Sequence, residues 1–356
     1  MFLHDPQHTG RSPYRGPQEG KVEWLFDAGH NVYSSPAIAF DGTVYFGAEN
    51  KKFFAVNPQG TQKWSSVGGG GDSSPLVAND GTVYCYATDG TGNTYLHSYQ
   101  PDGTLNWRFQ LVGWEPLSSP SISKDGEIIY IASKSLYAIR KNGTLYWEFR
   151  PDTTDACHYS LAMSPDGATL YVPGYCALYA VDSSGIVKWK YAIQGPSNPA
   201  VDNDGNVYLG GGPDQVLSLS SAGAVRWIRS GIYWGYEDPG PVIGRDGTIY
   251  IAGSRLYAFD HVGKLRWSYP IPARSQCVPA IDSSGVLYLG TLTNRGPADS
   301  VNFLIINPNG TLRWQMSLRS PDGSVPDIDS RPAISSDGKI YVGSDRARGF
   351  HLYKIR

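Results

Sequence analysis

The stretch "DGTVYFGAENKKFFAVNPQGTQKW", Asp41–Trp64, holds a tight turn, two apolar runs, a second glycine turn and a closing tryptophan. Asp-Gly between alternating apolar residues is a strong hairpin signal, because two-residue hairpin turns require positive φ. "TVYFG" and "FFAV" read as strands, and "TQKW" as a third. An upstream "SSPA" run, Ser34–Ala37, supplies a fourth and shorter one. The unit is therefore four strands in about 40 residues, the size of one propeller blade.

Versions of this unit fill the chain. The closing tryptophans are Trp24, Trp64, Trp107, Trp147, Trp189, Trp227, Trp267 and Trp314, spaced 38 to 47 residues apart. The hairpin turn recurs as Asp80–Gly81, Asp125–Gly126, Asp166–Gly167, Asp204–Gly205, Asp246–Gly247 and Asp337–Gly338, with Ser283–Gly285 in its place once. Seven complete units end at Trp314. An eighth begins at Ser330 and lacks its last strand, while "GKVEWLF", Gly20–Phe26, is a last strand without a unit. The chain is thus expected to be all-β: an eight-bladed β-propeller of four-stranded antiparallel blades, closed by the N-terminal strand completing the last blade. It reads as one domain. Residues 1–19 form an N-terminal segment and 20–26 the outer strand of the last blade. The blades cover about 33–66, 72–109, 117–149, 158–191, 196–229, 238–269, 276–316 and 329–356. Eight blades are expected to leave a wide central channel.

The 356 residues carry 17% charged residues and a net charge of −2, which is not the footprint of a nucleic-acid binder. No apolar run is long enough for a membrane helix. The N-terminus has no apolar core segment of a signal peptide. The Asn-Gly-Thr sequons at Asn142 and Asn309 occupy hairpin-turn positions and read as turns. No pattern specifies a metal: Asp202–Gly205 is a turn, and Asp327–Asp329 lacks the further ligands of an EF-hand.

"LYAVDSSGIVKW" (Leu178–Trp189), "FFAVNPQGTQKW", "LYAFDHVGKLRW" (Leu256–Trp267) and "LIINPNGTLRW" (Leu304–Trp314) resemble the tryptophan-docking repeat of the PQQ-like, or quinoprotein-type, propellers. The resemblance covers residues 20–356. It implies the propeller fold strongly and function weakly, because relatives include dehydrogenases and an outer-membrane assembly lipoprotein. The chain departs from the dehydrogenases: it has no adjacent Cys-Cys pair and no haem motif. No cofactor is expected, with PQQ and calcium left open.

The repeated tryptophans read as glue between blades, each burying about 150–250 Å². The Ser-Ser-Pro-Ala runs read as small residues crowded around the axis. With the A–B and C–D turns short and repetitive, function is expected on the opposite face, where the D–A and B–C connections vary. The positions three before each A-strand proline place Tyr33, Asp72, His158, Asp238 and Asp329 around the channel mouth, with Tyr159 and Arg331 beside them. Trp114, Glu115, Trp234, Tyr236, Glu237 and Arg274 lie in the same loops. Aromatic faces with carboxylates and arginines suit a polar ligand. Cys157 and Cys176 sum to the register of their hairpin turn, Pro165–Ala168, and are expected to bridge. A bridge implies an oxidising, extracytoplasmic compartment, periplasmic or secreted.

Three functions remain. The first is a non-catalytic binding or scaffold propeller, a monomer taking a protein or glycan through the loop face. The second is a polysaccharide lyase, with catalytic candidates His158, Tyr159 or Tyr236 as base and acid and Arg274 or Arg331 neutralising the uronate. The third, the least supported, is a PQQ-dependent dehydrogenase.

Overall fold

The computed structural model describes residues 5–113, 118–152, 155–157, 159–212, 214–232, 240–272, 275, 277–293, 301–345 and 350–356. These form eight four-stranded antiparallel sheets and no helix. Blade 1 shows the plan, from the axis outward: strand A (Ala37–Ile38), B (Val44–Ala48), C (Lys52–Val56) and D (Gln62–Val67). Every A strand has only two residues, as crowding at the axis demands. Blade 8 runs Ala333–Ile334, Ile340–Gly343, His351–Ile355 and then Val22–Asp27, so the first strand of the chain closes the ring. Lys354 locks this seam. Its Nζ donates to the Pro58 carbonyl of blade 1 at 3.0 Å and lies 3.6 Å from Glu23.

B and C strands are buried along nearly their whole length because another blade covers each face. D strands alternate exposed and half-buried residues, as an outer edge should. Each D strand carries a β-bulge one residue before its tryptophan. A bulge twists an edge strand and re-aims its side chains. Here the re-aimed side chain is the tryptophan. It packs on the B-strand tyrosine of its own blade, with ring centroids 5.7–5.9 Å apart from Tyr45–Trp64 through Tyr250–Trp267 and at the seam pair Trp24–Tyr341.

The same indole reaches the next blade. Trp24, Trp64, Trp107, Trp147, Trp189, Trp227 and Trp267 donate Nε1–H to C–D turn carbonyls at 2.9–3.0 Å. Their rings cover the glycines of those turns. Trp314 faces the seam, where the missing turn is replaced by Gly20 of the N-terminal segment.

That segment also changes the channel. Residues 5–14 form a strap along the inner wall of blades 4 to 7. Met163, Val201, Ile243 and Ile281, the second A-strand residue of each, donate N–H to the carbonyls of Pro6, Gln7, Thr9 and Gly10 at 2.8–2.9 Å. Ser12 then donates to Ile281 and accepts nothing further from that strand, and Ser283 donates to Tyr14 as the chain leaves the axis. Among the described residues, the strap therefore lines half of the channel wall, and the channel is not uniformly wide.

Candidate functional site

The sequence places the site where the loops vary. Of those residues, Trp114, Glu115, His158, Trp234, Tyr236, Glu237, Asp238 and Arg274 lie outside the described residues. Tyr33, Asp72, Tyr159, Asp329 and Arg331 are described. Asp72 is exposed, and Tyr33 and Tyr159 are half-exposed. Asn31 donates to the Tyr33 hydroxyl at 3.2 Å and to Glu49 at 2.7 Å, joining a D–A loop to a B–C turn. Of the lyase candidates, only Tyr159 and Arg331 are described. Arg331 sits inside the channel, where enclosing walls pull its pKa down to about 9 by desolvation.

Buried polar groups hold the loop bases. The Asp155 carboxylate accepts from the Tyr175 and Cys176 amides at 2.6 and 3.1 Å and from the Tyr179 hydroxyl at 2.9 Å. Asn302 donates to the Leu318 and Pro326 carbonyls and accepts from the Leu318 amide. Asp327 accepts from the Thr293 amide and hydroxyl at 2.6 and 2.8 Å. Bonds to the Asp155 and Asp327 carboxylates are of the stronger, charge-assisted kind and fix these loop bases firmly.

Asp155 also overturns the expected disulfide. All four cysteines are free. The hairpin keeps its register at Ala162↔Tyr171, but Cys157 bridges to Gly174. The loop has slipped by two residues because the Asp155 carboxylate gathers the turn at Tyr175 and Cys176 onto itself. Cys157 is buried and Cys176 is exposed, so the oxidising-compartment argument loses this support.

Below the mouth, the residue before each A-strand proline forms a second ring. Arg331 N–H donates to Ser35 Oγ, Ser35 N–H to Ser74 Oγ, Ser74 N–H to Ser119 Oγ, Ser119 N–H to Ser160 Oγ and Ser160 N–H to Asn198 Oδ1, at 2.8–3.1 Å. The serines are thus small and also acceptors, each satisfying a backbone donor of the preceding blade. The chain of bonds stops at Gly240 and Val278, whose side chains cannot accept.

Between this ring and the A–B turns lies a cavity of about 410 Å³. Its walls come from blades 7, 8, 1 and 2 and from Gly10, Pro13 and Tyr14 of the strap. Phe40, Asn79 and Ser336 mark its rim on the A–B face, and Arg331 is the charged residue in its wall. On the far side, His8 is buried with Nδ1 3.2 Å from the Pro199 carbonyl. Desolvation first, and Arg331 second, bring its pKa to about 3, so it is neutral. The sequence offered little sign of this cavity, since the strap has neither alternation nor an apolar run. For an anionic cofactor such as PQQ, with three carboxylates, this wall would offer a single guanidinium, that of Arg331. No group of three His, Cys, Asp or Glu placed to hold a metal occurs among the described residues.

Ring, seam and repeat together define a PQQ-like eight-bladed propeller. The chain belongs to the PQQ_2 family, described as outer membrane protein assembly factor BamB, whose model matches residues 16–155, 70–198 and 177–355. The strap up to Arg15 lies ahead of the matched region. No curated protein matches. Among solved structures, BamB from Moraxella catarrhalis shares the fold at TM-score 0.68 and 12% identity, covering 95% of this chain and 97% of that one. In all 1009 solved chains match, so the architecture alone does not discriminate among activities.

Proposed function

We propose that the protein is a non-catalytic, extracytoplasmic scaffold that binds a partner protein through the face carrying the D–A and B–C loops. The observation that carries this reading is the contrast between the faces. The A–B and C–D turns stay short and keep their glycine, whereas the opposite loops differ from blade to blade, and in blades 4 and 7 they stand on bases pinned by Asp155, Asn302 and Asp327. Varied loops on a rigid frame are the usual site of recognition. Membership in a family described by outer membrane protein assembly supports a protein partner outside the cytoplasm.

Site-specific photo-crosslinking tests it. A crosslinker at Tyr33, Asp72 or Tyr159 is expected to trap one defined partner in cells, and one at Gln59 or Asp102 on the opposite face is not. Equal trapping from both faces would overturn the assignment. Binding confined to a glycan array, or new absorbance from unsaturated ends on uronate polysaccharides, would favour a carbohydrate ligand or a lyase instead.

A further inference from the structure

The eight A strands present one ring of inward-facing donors. In blade 1, Ala39 N–H pairs outward with Thr43 of strand B, which turns the Ile38 N–H toward the axis. The same parity holds in every blade, since Ala78, Ser123, Ser164, Asp202, Gly244, Asp282 and Ser335 all pair outward. The inward donors are therefore Ile38, Val77, Ile122, Met163, Val201, Ile243, Ile281 and Ile334. Four of them, on blades 4 to 7, are taken by the strap carbonyls. For Ile334, Ile38, Val77 and Ile122, on blades 8, 1, 2 and 3, no described residue accepts. Three of these four line the 410 Å³ cavity. Inner-strand donors that lack a protein acceptor are a template for another chain.

We propose that this arc, which no described residue covers, docks an extended peptide segment of a partner protein along blades 8 to 3, as the strap lies along blades 4 to 7. The strap supplies the pattern for the occupant. Pro6 to Gly10, five residues, satisfy four successive blades. A small ion cannot do the same, because the donors are distributed around the wall and do not converge. The strap fits by having glycine at its tightest point: a Cβ on Gly10 would stand 2.5 Å from Val242 Cγ1. Prolines and small residues, Pro36, Ala37, Pro75, Pro279, Pro332 and Ala333, likewise make up part of the cavity wall, beside Phe40 and Arg331. A cavity of about 300–1,000 Å³ is the size that encloses a small ligand or a few residues. The cavity reaches the A–B turns at Phe40, Asn79 and Ser336 and includes none of the loop-face residues Tyr33, Asp72 and Tyr159.

The probe is a synthetic peptide of the strap sequence itself, Asp5 to Tyr14, added to the intact isotopically labelled protein. Amide resonances of Ile334, Ile38, Val77 and Ile122 are expected to shift saturably. At a peptide concentration ~10 times its dissociation constant, exchange at these amides slows about tenfold. Met163, Val201, Ile243 and Ile281 stay unchanged, and Asn79→Trp at the rim abolishes the response. Three results would overturn the proposal: no shift at millimolar peptide, shifts at Met163 and its equivalents (strap exchange, not completion of the ring), or a response to inorganic phosphate alone. A loop-face variant, Asp72→Arg, is expected to leave peptide binding intact, so failure of either reading is distinguishable from failure of the other.

Discussion

The Trp64 indole donates Nε1–H to the Pro101 carbonyl of the next blade at 3.0 Å and covers Gly103, where a Cβ would stand 2.8 Å from the indole Cδ2. Turn and tryptophan therefore belong to one contact. Gly103 has φ +93° and Gly126, in an A–B turn, has φ +78° with nothing within 4 Å of an added Cβ. Gly126→Ala should cost only the left-handed strain, about 1–2 kcal/mol. Gly103→Ala adds overpacking against Trp64, roughly 1–3 kcal/mol more. Denaturation midpoints of the two variants measure the difference, and equal losses would show that the indole yields freely.

This contact explains why the fold was legible. Every blade needs its hairpin turns, its tyrosine and its tryptophan in the same order, so the repeated pattern reports the tertiary contact directly. Gly20–Phe26 was readable as the missing outer strand for the same reason. The strap was not, because its bonds are scattered over four blades to residues more than 150 positions away, such as Pro6 to Met163. The slip of Cys157 to Gly174 was hidden too, since Asp155 bends the loop through a side-chain interaction that counting register ignores. The cavity consequently lies on the opposite side of the serine ring from the loops that drew attention.

The serine ring should respond to loss of an acceptor more than to loss of bulk. Ser119 Oγ accepts from the buried Ser74 amide at 2.9 Å. Ser119→Ala leaves that donor without a bond and should destabilise by roughly 1–3 kcal/mol. Ser119→Asn should recover part of it, because Asn198 already fills the equivalent place in blade 5. Thermal or chemical unfolding of the pair decides, and an alanine variant as stable as its parent would remove the ring from the account of blade cohesion.

Displacing the strap should not open the propeller. Gly10→Val drives a side chain into Val242 and the Pro279 carbonyl. Ring closure rests instead on Val22–Asp27 paired with His351–Ile355. Trypsin should cut after Arg11 on the order of tenfold faster in the variant, because cleavage follows the population of opened strap. The blades should resist as before.

His8 gives the strap a pH signature. Its folded pKa is about 3, below the unfolded 6.5. Between those values the unfolded chain holds a proton that the folded chain refuses. Stability is therefore complete above pH 6.5 and falls as pH drops toward 3, by at most about 1.4 kcal/mol per unit. His97, held near 4 by burial and Arg108, adds a slope of the same sign. His8→Gln should flatten the profile between pH 6.5 and 5 relative to the parent, leaving the His97 contribution. An unchanged profile would mean that the strap lifts away before His8 protonates.

The cysteines separate the two registers of blade 4. A Cys157–Cys176 bridge would leave two thiols, whereas the slipped loop leaves four. Burial raises the pKa of Cys85, Cys157 and Cys277, the last to about 12, which keeps them protonated and slow to react. Cys176 is exposed. A chromogenic thiol reagent should therefore titrate one thiol in the native protein and four after unfolding without reductant. Cys176→Ser should abolish the native reaction with no loss of stability, and a substantial loss would show that Cys176 holds blade 4 together after all.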